Sequence, residues 1–187
     1  SNSGVIYNAH SSTVGVATGA ITLTADSLFK SDAGAGLRLG SPISGAYALT
    51  VTGANNSFDS TTPFLNSGAL TLGASGSDSF SFTNGASITT PSSLYLAGTL
   101  TTGSNNALTL GDANTALVLT AATTLNSGTG MTTLGGAISG GYAFTVSGPA
   151  TLNGGTVNTG SAAQTYLGPV TLGADTLLSA GSADVTL

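Results

Sequence analysis

The sequence predicts an all-β chain wound as a right-handed parallel β-helix (β-solenoid), about eight coils of roughly 20–27 residues each. Three observations predict it. Apolar residues fall in very short clusters that alternate with Thr or Ser; the gaps between clusters are rich in Gly and Asn; and whole stretches of the chain repeat imperfectly. Composition points the same way. The 187 residues include 28 Gly, and with Thr and Ser these make up nearly half of the chain. Charged residues are 5%, against about 25% in ordinary soluble domains.

In chain order the clusters are Ile21-Thr22-Leu23-Thr24, Leu37-Arg38-Leu39, Leu49-Thr50-Val51-Thr52, Leu70-Thr71-Leu72 and Phe80-Ser81-Phe82. Leu94-Tyr95-Leu96, Leu108-Thr109-Leu110, Leu117-Val118-Leu119, Phe144-Thr145-Val146, Val170-Thr171-Leu172 and Val185-Thr186-Leu187 follow. Alternation with period 2 sends the aliphatic members to one face and the hydroxyls to the other. Thr suits the outer face because its branched Cβ fits a pleated surface. Between the clusters, Asn84-Gly85, Thr102-Gly103-Ser104-Asn105-Asn106 and Asn153-Gly154-Gly155 read as turns. A helical chain would need Glu, Lys, Arg and Gln on its wet faces, and Glu is absent.

Repeats choose among the all-β folds. Leu39 to Gly53 matches Leu134 to Gly148 at ten of fifteen positions, at an offset of 95 residues, or about four coils. An aliphatic-Thr-Leu-Gly motif recurs at Leu70, Leu108 and Val170. Clusters beginning at 49, 70, 94, 117, 144 and 170 are spaced by 21, 24, 23, 27 and 26 residues. Such a period marks a solenoid in which each coil stacks about 4.8 Å from the last. Leu, Val, Ile and Ala are expected inside, Thr, Ser and Asn outside, and Gly and Asn at corners. A sandwich or closed barrel wants longer strands and a larger aromatic content than the 6% present, and a membrane barrel wants strands of about ten residues with aromatic girdles.

The run Gly160-Ser161-Ala162-Ala163-Gln164-Thr165-Tyr166-Leu167-Gly168-Pro169-Val170-Thr171-Leu172-Gly173-Ala174-Asp175-Thr176-Leu177-Leu178 resembles a repeat of large bacterial surface exoproteins. These are the filamentous-haemagglutinin-like proteins of two-partner secretion and the β-helical passengers of autotransporter adhesins. The resemblance implies a secreted stalk or passenger segment at the cell surface, without the Asn-Pro-Asn-Leu type secretion motif. On this reading residues 1–187 form a single solenoid segment of a longer chain or fibre. The partners implied are neighbouring coils or identical copies, and host glycans or matrix.

Composition limits the alternatives. A formal charge of −5 opposes nucleic-acid binding, and no apolar run is long enough for a membrane-spanning helix. There is no Cys, hence no disulfide, thiolate metal site or cysteine nucleophile. His10 is the only His and lacks a nucleophile elbow, so it reads as a surface residue. Lyases and hydrolases on β-helices need clustered carboxylates, whereas Asp26, Asp32, Asp59, Asp78, Asp112, Asp175 and Asp184 are scattered, mostly in turns. Lys30 between Asp26 and Asp32 reads as a loop ion pair. No catalytic residue, cofactor or metal is assigned, and no enzyme activity is expected.

Of the five tyrosines, Tyr47 and Tyr142 occupy equivalent repeat positions. A role at a corner or in the core competes there with stacking on a glycan. Thr22-Leu23-Thr24, Thr50-Val51-Thr52 and Thr99-Leu100-Thr101 would suit the flat Thr-x-Thr rows of an ice-binding solenoid. Leu70-Thr71-Leu72-Gly73 and Phe144-Thr145-Val146-Ser147 are expected to break those rows. The leading expectation is an adhesive or structural extracellular rod. The alternatives are a fibre subunit joined through exposed solenoid ends, and an ice- or glycan-binding module.

Overall fold

The computed structural model describes residues 4–8, 14–32 and 35–187. Among them the chain forms strands and one short 3-10 turn, Gly103–Asn105. The strands wind as a β-solenoid of about eight turns with three faces. The first face stacks β1 (Gly4–Asn8), β4 (Ser27–Ser31), β7 (Leu49–Thr52), β10 (Leu70–Leu72), the first halves of β13 (Ser93–Thr102) and β15 (Ala116–Asn126), then β17 (Ile138–Gly140), β20 (Thr156–Asn158) and β23 (Leu177–Ser179). The second stacks β2 (Val14–Ala17), β5 (Gly36–Leu39), β8 (Asn56–Phe58), β11 (Ser79–Phe82), the second halves of β13 and β15, β18 (Phe144–Ser147), β21 (Gln164–Tyr166) and β24 (Val185–Thr186). The third carries β3 (Ile21–Thr22), β6 (Ile43–Gly45) and β9 (Phe64–Asn66), then β12 (Ala86–Ile88), β14 (Leu108–Leu110), β16 (Thr132–Leu134), β19 (Ala150–Leu152) and β22 (Val170–Leu172).

The strand pairs on all three faces are parallel, for example β7 with β10, β18 with β21 and β16 with β19. That excludes a hairpin-built sandwich for the described residues. Eight steps at the usual strand spacing give a rod of roughly 40 Å.

Alternation does what the sequence predicts. On the first face Leu49, Leu70, Leu94, Leu117, Ile138 and Val157 stand directly over one another, all buried. Burying each such side chain stabilises the rod by about 1.5–3 kcal/mol. Aliphatic residues share the interior with aromatic ones. All six Phe are buried, and Phe58 packs edge-on to Phe64 at 5.0 Å and stacked on Phe82 at 5.2 Å. These rings lie where the third sheet is interrupted, between β9 and β12. There the amide of Ser87 bonds the carbonyl of Thr61, before Pro63, instead of pairing with β9. Phenylalanine supplies volume where the stacking is irregular.

Coil length differs from the spacing of the sequence clusters. Following register on one face, the chain returns after as few as 18 residues (Thr132 to Ala150) and as many as 25 (Thr101 to Asn126). The spacings of 27 and 26 arise because the clusters at 117, 144 and 170 lie on the first, second and third faces. The duplicated stretch behaves likewise. Ile43-Ser44-Gly45 is on the third face, but Ile138-Ser139-Gly140 is on the first. The 95-residue offset is therefore four and one-third coils, not four. Both copies keep the same local shape, with Gly45 and Gly140 at φ +123° and +149°, a turn that favours glycine. The strand-corner-strand unit is portable between faces.

Candidate functional site

Because the interior is filled, function has to be sought on the faces and corners. The tyrosines come first. Tyr47 lies at the corner between β6 and β7 and Tyr142 at the corner between β17 and β18, 43% and 46% exposed. Having slipped by a third of a coil, they stand on different edges of the rod and form no common aromatic platform. Tyr95 is half-buried on the first face. Tyr166 faces inward, with its ring 6.3 Å from Phe144 and its hydroxyl donating to Gln164 Oε1 at 3.4 Å. Burial pushes its phenol up to about 12. Gln164 is also buried, and its Nε2 donates to Val157 O, Thr159 Oγ1 and Ser179 O. The Gln-Thr-Tyr run that carries the exoprotein resemblance is thus a core element, with only Thr165 facing out. His10 lies outside the described residues.

The carboxylates build corners. Asp26 Oδ1 accepts from the Ala48 amide at 3.0 Å and Asp78 Oδ2 from the Ala74 amide at 2.8 Å. Asp112 Oδ1 accepts from the Asn114 amide and the Thr115 hydroxyl, both at 2.9 Å, which lowers its pKa. Asp59 Oδ2 takes the Arg38 Nε hydrogen at 2.9 Å, an ion pair across adjacent coils that the sequence spacing did not suggest. Among the described residues no three His or Asp side chains gather in a way that could hold a metal ion. Among the described residues, too, no helix is long and apolar enough to cross a membrane.

Among the described residues two concave features and one periodic surface stand out. A cleft of about 420 Å³ spans three coils at the corner between the first and second faces. It is lined by Lys30, Asp32 and Asp78 with the hydroxyls of Ser31, Thr52, Ser75 and Ser77. A shallower groove of about 360 Å³ runs along the second face over Ser57, Ser81 and Thr101. The cleft was not legible in the sequence because Lys30 and Asp32 lie two coils from Asp78, and only the stacking of the coils brings them together.

The periodic surface is a set of hydroxyl columns, and here the structure overturns an expectation. Phe144-Thr145-Val146-Ser147 does not break a threonine row. Ser79, Thr99, Thr124, Thr145, Thr165 and Thr186 stand in register in six successive coils of the second face. Beside them run Ser57, Ser81, Thr101, Asn126 and Ser147. Thr71 likewise aligns with Thr50 on the first face. The third face has a single column of Ser87, Thr109, Thr133, Thr151 and Thr171. The three Thr-x-Thr motifs of the sequence belong to three different faces, so comparing them with one another hid the columns.

No protein-family model matches the chain, and neither a curated protein nor a solved structure matches it significantly.

Proposed function

We propose that the chain is a rod segment of a secreted bacterial surface adhesin, extracellular and non-catalytic, which works by stiffness, reach and a hydroxyl-rich surface. What carries this reading is parallel stacking maintained through every coil of the first and second faces over one filled core. Each coil is braced above and below, so the rod transmits force along its axis and its outward residues are free to vary. The Gln164-Thr165-Tyr166 run supports the exoprotein assignment, and the exposed corner residues Tyr47 and Tyr142 are its candidate contacts with host glycans or matrix. The test is binding of the purified chain to host cells and glycan arrays, with Tyr47→Ala and Tyr142→Ala alongside. Binding that falls in either variant supports the contacts. A chain that binds nothing reduces the reading to a passive spacer.

A further inference from the structure

The second face from Thr99 to Thr165 has three properties that a solvated rod surface does not require. It is periodic along the rod: Thr99, Thr124, Thr145 and Thr165 repeat about every 4.8 Å from coil to coil, and Thr101, Asn126 and Ser147 form a second polar column about 6.7 Å beside the first in three of those coils. It is free of formal charge, since Asp112, the one charged residue between Asp78 and Asp175, lies at the corner between the third and first faces, and the outward positions of both columns are Thr, Ser and Asn. Its hydroxyls are also unused. Those of Thr99, Thr101, Thr124, Thr145 and Thr165 make no hydrogen bond to another protein group among the described residues, while corner hydroxyls such as Ser127 and Thr159 donate to carbonyls. Branching at Cβ restricts each Thr to few rotamers, so the grid is ordered before anything binds.

We propose that this face binds the ordered water lattice of an ice surface. Threonine presents a donor-acceptor hydroxyl beside a methyl group. The hydroxyls take lattice water as partners, and the methyls sit in the gaps between, excluding mobile solvent. A charged side chain would orient water against the lattice, and the ladder has none. A crystalline polysaccharide is the weaker fit, because ring stacking needs outward aromatics. Tyr166, the aromatic of β21, points inward. The third face is the internal comparison. Its strands β12, β14, β16 and β19 offer one outward residue per coil, not two, and the Thr151 hydroxyl is already engaged with Met131 Sδ at 3.4 Å. The proposal needs the stacked coils only and is independent of any adhesive role.

The test is partition of the purified chain into slowly growing ice, together with inhibition of ice recrystallisation. It compares the parent with Thr124→Tyr/Thr145→Tyr on the second face and Thr133→Tyr on the third. Tyr is a good strand residue, and these positions face outward, so the core is left alone. Enrichment of the parent and of Thr133→Tyr in the ice fraction, and its loss in the second-face pair, is the expected result. Should that pair fail to fold, the isosteric Thr124→Val/Thr145→Val pair is read for the same loss. Exclusion of the parent from ice to the extent of a non-binding protein overturns the proposal. Equal loss on the third face overturns it too.

Discussion

Residues 26–82 carry six charged side chains (Asp26, Lys30, Asp32, Arg38, Asp59 and Asp78) and five of the six buried phenylalanines, while residues 83–172 carry one charge, Asp112, and one phenylalanine, Phe144. Both regions stack in parallel by the same register rule. In the first, corners are built with carboxylates, as where Asp26 accepts from the Ala48 amide of the next coil and Asp78 from the Ala74 amide of its own loop. In the second, corners are built mostly with hydroxyls, as where Ser127 donates to Gly130 O and Thr159 to Ala162 O. A neutral corner leaves no charge at the rim of a face. The second region can therefore present uniform threonine columns, whereas the first presents Lys30, Arg38 and a charged cleft. Interior stacking and exterior chemistry are separable in this fold, because alternation assigns them to different residues.

The comparison breaks most visibly at the aromatic core. Phe58→Ala should cost about 3–5 kcal/mol in urea unfolding, since Phe64 and Phe82 both lose a ring partner, and Leu125→Ala should sit near the lower end of about 2–5 kcal/mol. Equal costs would mean that the irregular region is packed no more tightly than the regular one. Backbone stacking gives the next test. A Cβ at Gly36 would meet the Asn55 carbonyl oxygen, and one at Gly136 the Thr115 carbonyl oxygen, both far inside van der Waals contact. Alanine at either position should cost about 3 kcal/mol, the upper end for overpacking. Similar losses sharpen the view that only side chains distinguish the regions; tolerance at one of the two would show looser stacking there.

The smallest effect is a pH dependence confined to the second region. Tyr166 is held at about 12 by burial, while in the unfolded chain a tyrosine ionises near about 10. The unfolded state therefore loses the proton first as pH rises. The contribution of this phenol is intact below about pH 10 and declines toward about pH 12. Urea midpoints measured across that range should fall with pH in the parent and fall less in Tyr166→Phe. Parallel declines would show that Tyr166 is not the group responsible.

The strands and their inward members were largely legible in the sequence. Leu70-Thr71-Leu72, Leu108-Thr109-Leu110 and Phe144-Thr145-Val146 each form a strand with the outer residues of the triplet buried. Phe58, Phe64 and Phe82 as neighbours were not legible, because they meet across the break at β9. Nor were the inward Gln164 and Tyr166, whose polar ends are satisfied by groups up to 15 residues away.

By itself the sequence determined that this chain is a parallel solenoid, since period-2 alternation, glycine corners and repeated units are local properties that each short segment carries with it. Which face a segment occupies was decided only by the tertiary structure. Corner loops vary, so a coil closes after 18 to 25 residues, and every insertion moves the following strands around the rod. A motif such as Leu-Thr-Leu fits any face. Its neighbours above and below, and with them the threonine columns and the charged cleft, exist only once the coils have stacked.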